Sequence, residues 1–197
     1  MPLAQAAGIV GANDILALAT SSDFQTAVKN GDGAKQQMLL GGVLDTLGAS
    51  YDALLGQIQT LAPQADVQVL GYYNPYAALP GTDPTSLYLR TVSTPLNLAL
   101  NAKIAQEAAA HQFQFVDLYT PFLGHEDTLT LSGELLPTPF GLIPNDHPTT
   151  AGYAVIAGQL EAPAVPEAPT TISFGLLALG MGSMVVAKRK KQAQRKS

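Results

Sequence analysis

The chain contains no cysteine, which removes disulfides, thiolate catalysis and cysteine-ligated zinc from consideration. Histidine is scarce: His111, His125 and His147 are the three present, and no two fall in an HxxxH or HExxH spacing. A histidine-built metal centre is therefore not expected, and neither is a cofactor. Basic residues are scarce as well, outside the end of the chain. Lys29, Lys35, Arg90 and Lys103 are the four within residues 1–170, set against all fifteen acidic residues, a balance of −11 that argues against nucleic acid as a partner. No internal repeat is present. The opening MPLAQAAGIVGAND has neither a basic n-region nor an apolar run of signal-peptide length.

What is present suits one α/β domain with an added hydrophobic segment: 197 residues, 47% of them apolar. The composition changes after residue 161. APAVPEAPTT (162–171) reads as an extended linker, because proline fixes φ and removes hydrogen-bond donors. ISFGLLALGMGSMVVA (172–187) carries no charge. As a helix it would be roughly 24 Å long, short of a ~30 Å hydrocarbon core unless its flanks snorkel. KRKK follows at 188–191 and would stay on the cytoplasmic side. The expected organisation is a domain over 1–161, a Pro-rich linker over 162–171, and an apolar helix with a basic tail over 172–197. Pro-Glu, apolar helix and basic end in this order resemble the PEP-CTERM sorting signal of exported bacterial proteins, with Ala168 standing between Glu167 and the second proline. That resemblance implies membrane insertion through 172–187, an exosortase-like sorting enzyme as partner, and delivery to the cell surface or extracellular space.

Within the body, Leu40, Leu44, Leu47, Tyr51, Leu54, Ile58 and Leu61 step by four and three, which predicts one face of a long helix over 34–62 ended by Pro63. DVQVLGYYNPY (66–76) predicts a buried strand entering a loop. Residues 77–94, rich in Pro, Gly and Thr, read as a loop leading to a helix from Pro95 to His111. FQFVDLYTPF (113–122) predicts the next strand, 123–146 a long surface loop, and TTAGYAVIAGQLE a closing helix with Thr149 as N-cap. With a first strand at 7–10, the alternation implies a parallel sheet with helices on its faces.

In such sheets reactive groups gather at the carboxyl ends of the strands. Asn13, in IVGANDIL, follows the first predicted strand, where its amide would serve as an oxyanion donor or its neighbourhood as a helix cap. His147, in PNDHPTTAGYAVIA, precedes the last helix and has the pKa range of a general base.

VGANDIL resembles the GxND block of SGNH/GDSL hydrolases, and NDHPTTAGYAVIA resembles their DxxHP block with its Gly-Tyr helix; VLGYYNPY and FVDLYTPF are similar to the fourth and fifth strands of extracellular members. The resemblance covers residues 9–161. It implies a flavodoxin-like three-layer α/β/α fold and hydrolysis of carboxylic esters of lipid or acylated carbohydrate through an acyl-enzyme. It also implies that Asn13 is the oxyanion donor, that His147 is the general base, and that Asp14 braces the turn. The family's acid lies three residues before the histidine, where Pro144 stands here. Either Asp146 substitutes or a backbone carbonyl orients the ring. The nucleophile block is absent, since none of the nine serines follows Gly-Asp. With strand order 2-1-3-4-5, the chain would keep strands 3 to 5 and lack 1 and 2. The sequence therefore reads as the C-terminal portion of an exported, N-terminally truncated esterase, inactive alone. The alternative is a non-catalytic surface or matrix protein built on a hydrolase remnant.

Overall fold

The apolar period of residues 34–62 is realised almost residue for residue in the computed structural model, which describes residues 11–138 and 141–161. Two short helices come first, α1 (Ala12–Thr20) and α2 (Ser22–Lys29), followed by the long α3 (Gly33–Leu61). Asp32 caps α3 by accepting from the Lys35 amide at 3.0 Å, and the helix ends two residues before Pro63. Of its predicted stripe, Leu47 is fully buried and Leu40, Leu44, Tyr51 and Ile58 pack against the core, whereas Leu61 at the last turn is exposed.

β1 (Gln68–Leu70) and β2 (Gln114–Val116) pair in parallel with Val69 opposite Phe115. The connection between them is α4 (Pro84–Ala110), as a parallel crossover requires. This helix begins eleven residues before the predicted start. Asp83 accepts from the Thr85 and Ser86 amides at 3.0 Å each, and Pro84 occupies the first helical turn, where its missing N–H costs nothing. Pro95, the start that the sequence predicts, lies inside the helix. Leu96, Leu100, Ile104 and Ala108 form the face of α4 that packs with Leu47 and Leu55 of α3, Val69 of β1, and Ile15 and Leu18 of α1 into the core.

After β2 the chain departs further from the predicted strand and loop. The strand stops at Val116, and α5 (Tyr119–Phe122) and α6 (Glu126–Leu129) follow. A hairpin of β3 (Leu135–Thr138) with β4 (Gly141–Pro144) occupies what the sequence presents as loop. Prolines at 137 and 144 disguise it, yet a two-stranded ribbon has outer edges on which proline is tolerated. The closing helix α7 (Thr150–Glu161) forms as predicted, with the Gly152 amide donating to Thr149 Oγ1 at 3.1 Å. The expected first strand at 7–10, the linker and the apolar helix at 172–187 lie outside the described residues. Among the described residues no helix is long and apolar enough to cross a membrane.

Candidate active site

The GxND segment is a helix start. Gly11 adopts φ 129°, its N–H donates to Asp14 Oδ2 at 3.0 Å, and its carbonyl accepts from the Ile15 amide at 3.0 Å. Asp14 thus braces the turn, adding negative charge at the positive end of α1. Capping falls to Gly11 and Asp14, so the Asn13 amide, exposed in the first helical turn, is not spent on it. Glycine is needed at 11 for two reasons. Its φ is one that side chains avoid, and a Cβ there would lie 3.1 Å from Tyr72 Cε2. The Tyr72 hydroxyl accepts from the Ala12 N–H, one of the donors a helix start leaves without an internal partner, and it also accepts from the Tyr51 hydroxyl. Burial pushes both phenols above their ordinary range.

The His147 loop is stitched to α6 and the segment after it. Leu131 N–H donates to the His147 carbonyl at 2.8 Å, Thr149 N–H to the Leu129 carbonyl at 2.9 Å, and Thr149 Oγ1 to the Thr128 carbonyl at 3.0 Å. The buried Asn145 accepts from the His147 amide through Oδ1 at 3.2 Å, an Asx turn that sets the backbone just ahead of the imidazole. The His147 side chain itself is exposed. Among the described residues no carboxylate, Asp146 included, hydrogen-bonds its ring. The Asp146 carboxylate lies instead in the field of Tyr73 and Tyr76. Burial, with this carboxylate adding to it, pushes the Tyr76 phenol up to about 12 and raises the Tyr73 phenol well above its ordinary range.

The two halves meet on consecutive residues beyond the carboxyl end of β1. Tyr72 seats the Gly11 turn, and the Tyr73 hydroxyl donates to the Asp146 carbonyl at 2.7 Å. The Tyr73 ring stacks on Phe122 of α5 with centroids 4.4 Å apart, tying in the segment beyond β2. Here the backbone has left the sheet, its last ladder bond being Gly71 N–H to the Val116 carbonyl at 2.9 Å. Its polar groups are satisfied by side chains of α4. Asn101 accepts from Tyr72 N–H at 2.7 Å and donates to the Tyr72 carbonyl at 2.7 Å, while Asn97 donates to the Tyr73 carbonyl at 3.0 Å. Asn74, almost fully buried, donates to Ser93 Oγ and Thr94 Oγ1 at 3.1 Å each. Sequence reasoning missed this ladder. Its signal was Ser93, Asn97 and Asn101 recurring every four residues in an otherwise apolar helix.

Five of the six described serines are engaged in the fold itself, and Ser22 lies exposed at the first turn of α2. Ser21 caps α2, Ser50 bonds the Thr46 carbonyl within α3, and Ser86 bonds Asp83. Ser93 and Ser132 are buried, holding Asn74 and Thr130 respectively. His111 bonds Asp52 Oδ1 at 2.9 Å at the amino end of β2, the far end of the sheet from His147. Among the described residues no cluster of side chains suited to a metal ion occurs.

Residues 9–155, which span both turns and everything between them, match the GDSL-like Lipase/Acylhydrolase family. The chain belongs to that family. This GDSL-like protein is 42% identical over 84 residues to Lipase 1 of Streptomyces coelicolor, an alignment covering 41% of the chain and 30% of its relative. In structure it is similar to phospholipase A1 of Streptomyces albidoflavus NA297, at TM-score 0.51 and 25% identity over 79% of this chain and 65% of that one. An extracellular lipase of Streptomyces rimosus gives TM-score 0.45 and 26% identity over 71% and 63% of the two chains. The chain therefore spans less than two thirds of each of these relatives. Likeness to the phospholipase supports the α/β fold class of GDSL lipases for this chain.

Proposed function

We propose that this chain carries the oxyanion-donor and general-base half of a GDSL-type ester hydrolase that works through an acyl-enzyme. The observation that carries the reading is the convergence of the Gly11–Asp14 turn and the Asp146–His147 loop on Tyr72 and Tyr73 at the carboxyl end of the parallel strands. In this reading His147 takes the proton of a serine hydroxyl as it attacks the ester carbonyl and returns it to the departing alkoxide. Asn13 donates a hydrogen bond to the carbonyl oxygen as it gains negative charge, an interaction worth about 3–4 kcal/mol of barrier where such donors have been removed. In this reading Asp146 acts on the His147 loop through its carbonyl and the phenols around its carboxylate rather than by a hydrogen bond to the ring. The nucleophile in this reading is the serine of a Gly-Asp-Ser block, which the 197 residues do not contain, so they are inactive alone. The substrate is an ester of a lipid or an acylated carbohydrate. The tail at 162–197 directs the product to export, sorting by an exosortase-like enzyme and the cell surface.

One observation favours a second reading, a non-catalytic surface protein on a hydrolase scaffold: the exposed His147 ring lacks a carboxylate partner among the described residues. Translating the DNA upstream of Met1 and expressing any in-frame extension separates the two. Hydrolysis of p-nitrophenyl butyrate that is abolished by His147→Ala supports the enzyme. Stop codons throughout, or activity indifferent to His147, support the scaffold.

A further inference from the structure

We infer that Tyr72 and Tyr73, held by Asn97 and Asn101 of α4, are positioning residues that fix the oxyanion turn and the histidine loop relative to one another. This rests on the roles proposed above for Asn13 and His147, but the coupling itself is a property of the fold.

Consecutive residues of an extended segment point to opposite sides. One phenol therefore reaches the start of α1 while its neighbour reaches the loop before α7. Tyr72 supplies the acceptor for Ala12 N–H, the residue adjoining Asn13. Tyr73 supplies the donor for the carbonyl of Asp146, the residue adjoining His147. Each contact lies one peptide unit from a functional side chain, close enough to set its backbone without touching a substrate. The dipeptide between them has no neighbouring strand beyond Gly71, so it would be slack if its N–H and carbonyl groups were left to water. The Asn101 amide closes on both polar groups of Tyr72 and the Asn97 amide on the Tyr73 carbonyl. Asn101 also donates to Asn97 Oδ1 at 3.0 Å, so the two amides orient each other. All of this occurs on a helix whose other face is the core, which makes α4 the rigid reference for both halves. The close approach requires Gly71: a Cβ there would fall 2.7 Å from Phe115 Cζ and 2.9 Å from Asn101 Oδ1.

The experiment is nuclear magnetic resonance on the 197-residue chain with three variants. Tyr73→Phe keeps the ring on Phe122 and removes the bond to Asp146. The His147 Cε1–H signal is expected to shift or broaden and the Leu131 amide, which bonds the His147 carbonyl, to exchange at least about tenfold faster. The Ile15 amide and the core amide of Leu100 should stay as they were. Tyr72→Phe should do the reverse, moving the Asn13 side-chain amide signals and loosening Ile15 while leaving His147 alone. Asn101→Asp keeps the acceptor for Tyr72 N–H and loses the donor, and should move both sets of signals together. The inference is overturned if Tyr73→Phe leaves His147 and Leu131 unchanged, or if all amides loosen alike, as a purely structural role would give. Absent ester hydrolysis in the extended product would count against the proposed function without altering this pattern, so the two failures are distinguishable.

Discussion

Asn101 shows how a single side chain can decide whether a site holds together. It is buried, and its amide serves as both donor and acceptor for the backbone of Tyr72. Replacing it with leucine keeps the volume but strands an N–H and a carbonyl inside the protein. Leaving such groups unpaired costs about 1–3 kcal/mol each, so Asn101→Leu should lower the unfolding free energy by roughly 2–4 kcal/mol in urea titration; a loss within error of zero would show that water replaces the amide. The patterns that single out the candidate residues are visible at this scale. Asn13 and His147 stand in short local patterns, and the Asp14 brace follows from the spacing of a capping carboxylate. Tyr72, Tyr73, Asn97 and Asn101 were not legible, because their roles exist only once α4 is laid against the segment after β1. Asp146 differs in kind: the sequence leaves open whether it or a backbone carbonyl orients the His147 ring, and in the structure its carbonyl and carboxylate both face tyrosines.

Among elements, α7 carries the clearest constraint. Gly152 passes so close to α6 that a Cβ would lie 2.2 Å from the Leu129 carbonyl oxygen and 2.9 Å from Pro148 Cβ. The glycine of the Gly-Tyr pair after His147 is therefore a packing requirement, and the same contact presses the His147 loop onto α6. Gly152→Ala should destabilise the chain by about 1–3 kcal/mol, the usual range for overpacking, and should accelerate exchange of the Thr149 amide before that of the core; an alanine variant with unchanged stability would mean that α7 slides without cost. The periodic elements α3 and α7 were readable, since burial of one helical face imposes its period on the residues. The start of α4 differs from the sequence expectation because Pro95 resembles a first-turn proline, while Asp83-Pro84, the true cap, lies in a stretch whose Pro, Gly and Thr content suggests loop. The β3–β4 hairpin was hidden by its prolines for a similar reason: composition reports average tendency, and edges of a two-stranded ribbon tolerate what a central strand does not.

At the scale of the whole molecule, half-buried phenols join three parts of the fold. Tyr51, Tyr72, Tyr73 and Tyr76 are all pushed above the ordinary tyrosine range, chiefly by burial, and Tyr76 reaches about 12. A group whose folded pKa exceeds its unfolded value contributes stability in full below the unfolded pKa, here about 10, and loses it as pH rises toward the folded value. Thermal stability should thus hold up to about pH 9 and fall above pH 10, by well under the limit of about 1.4 kcal/mol per pH unit for each phenol, because these rings stay partly open to solvent, which screens the shift. Melting curves across pH 8–12 check this, and a flat profile would contradict the burial of these rings. In the proposed function the GDSL-like scaffold would hold Asn13 and His147 as oxyanion donor and base for the serine of a Gly-Asp-Ser block absent from these 197 residues. Initial-rate hydrolysis of p-nitrophenyl butyrate tests it most directly, comparing the 197-residue chain, the product bearing its in-frame upstream extension, and that product with His147→Ala. The account predicts no turnover, turnover and no turnover in that order; hydrolysis by the 197-residue chain alone, or an extended product that keeps its rate without His147, would contradict it.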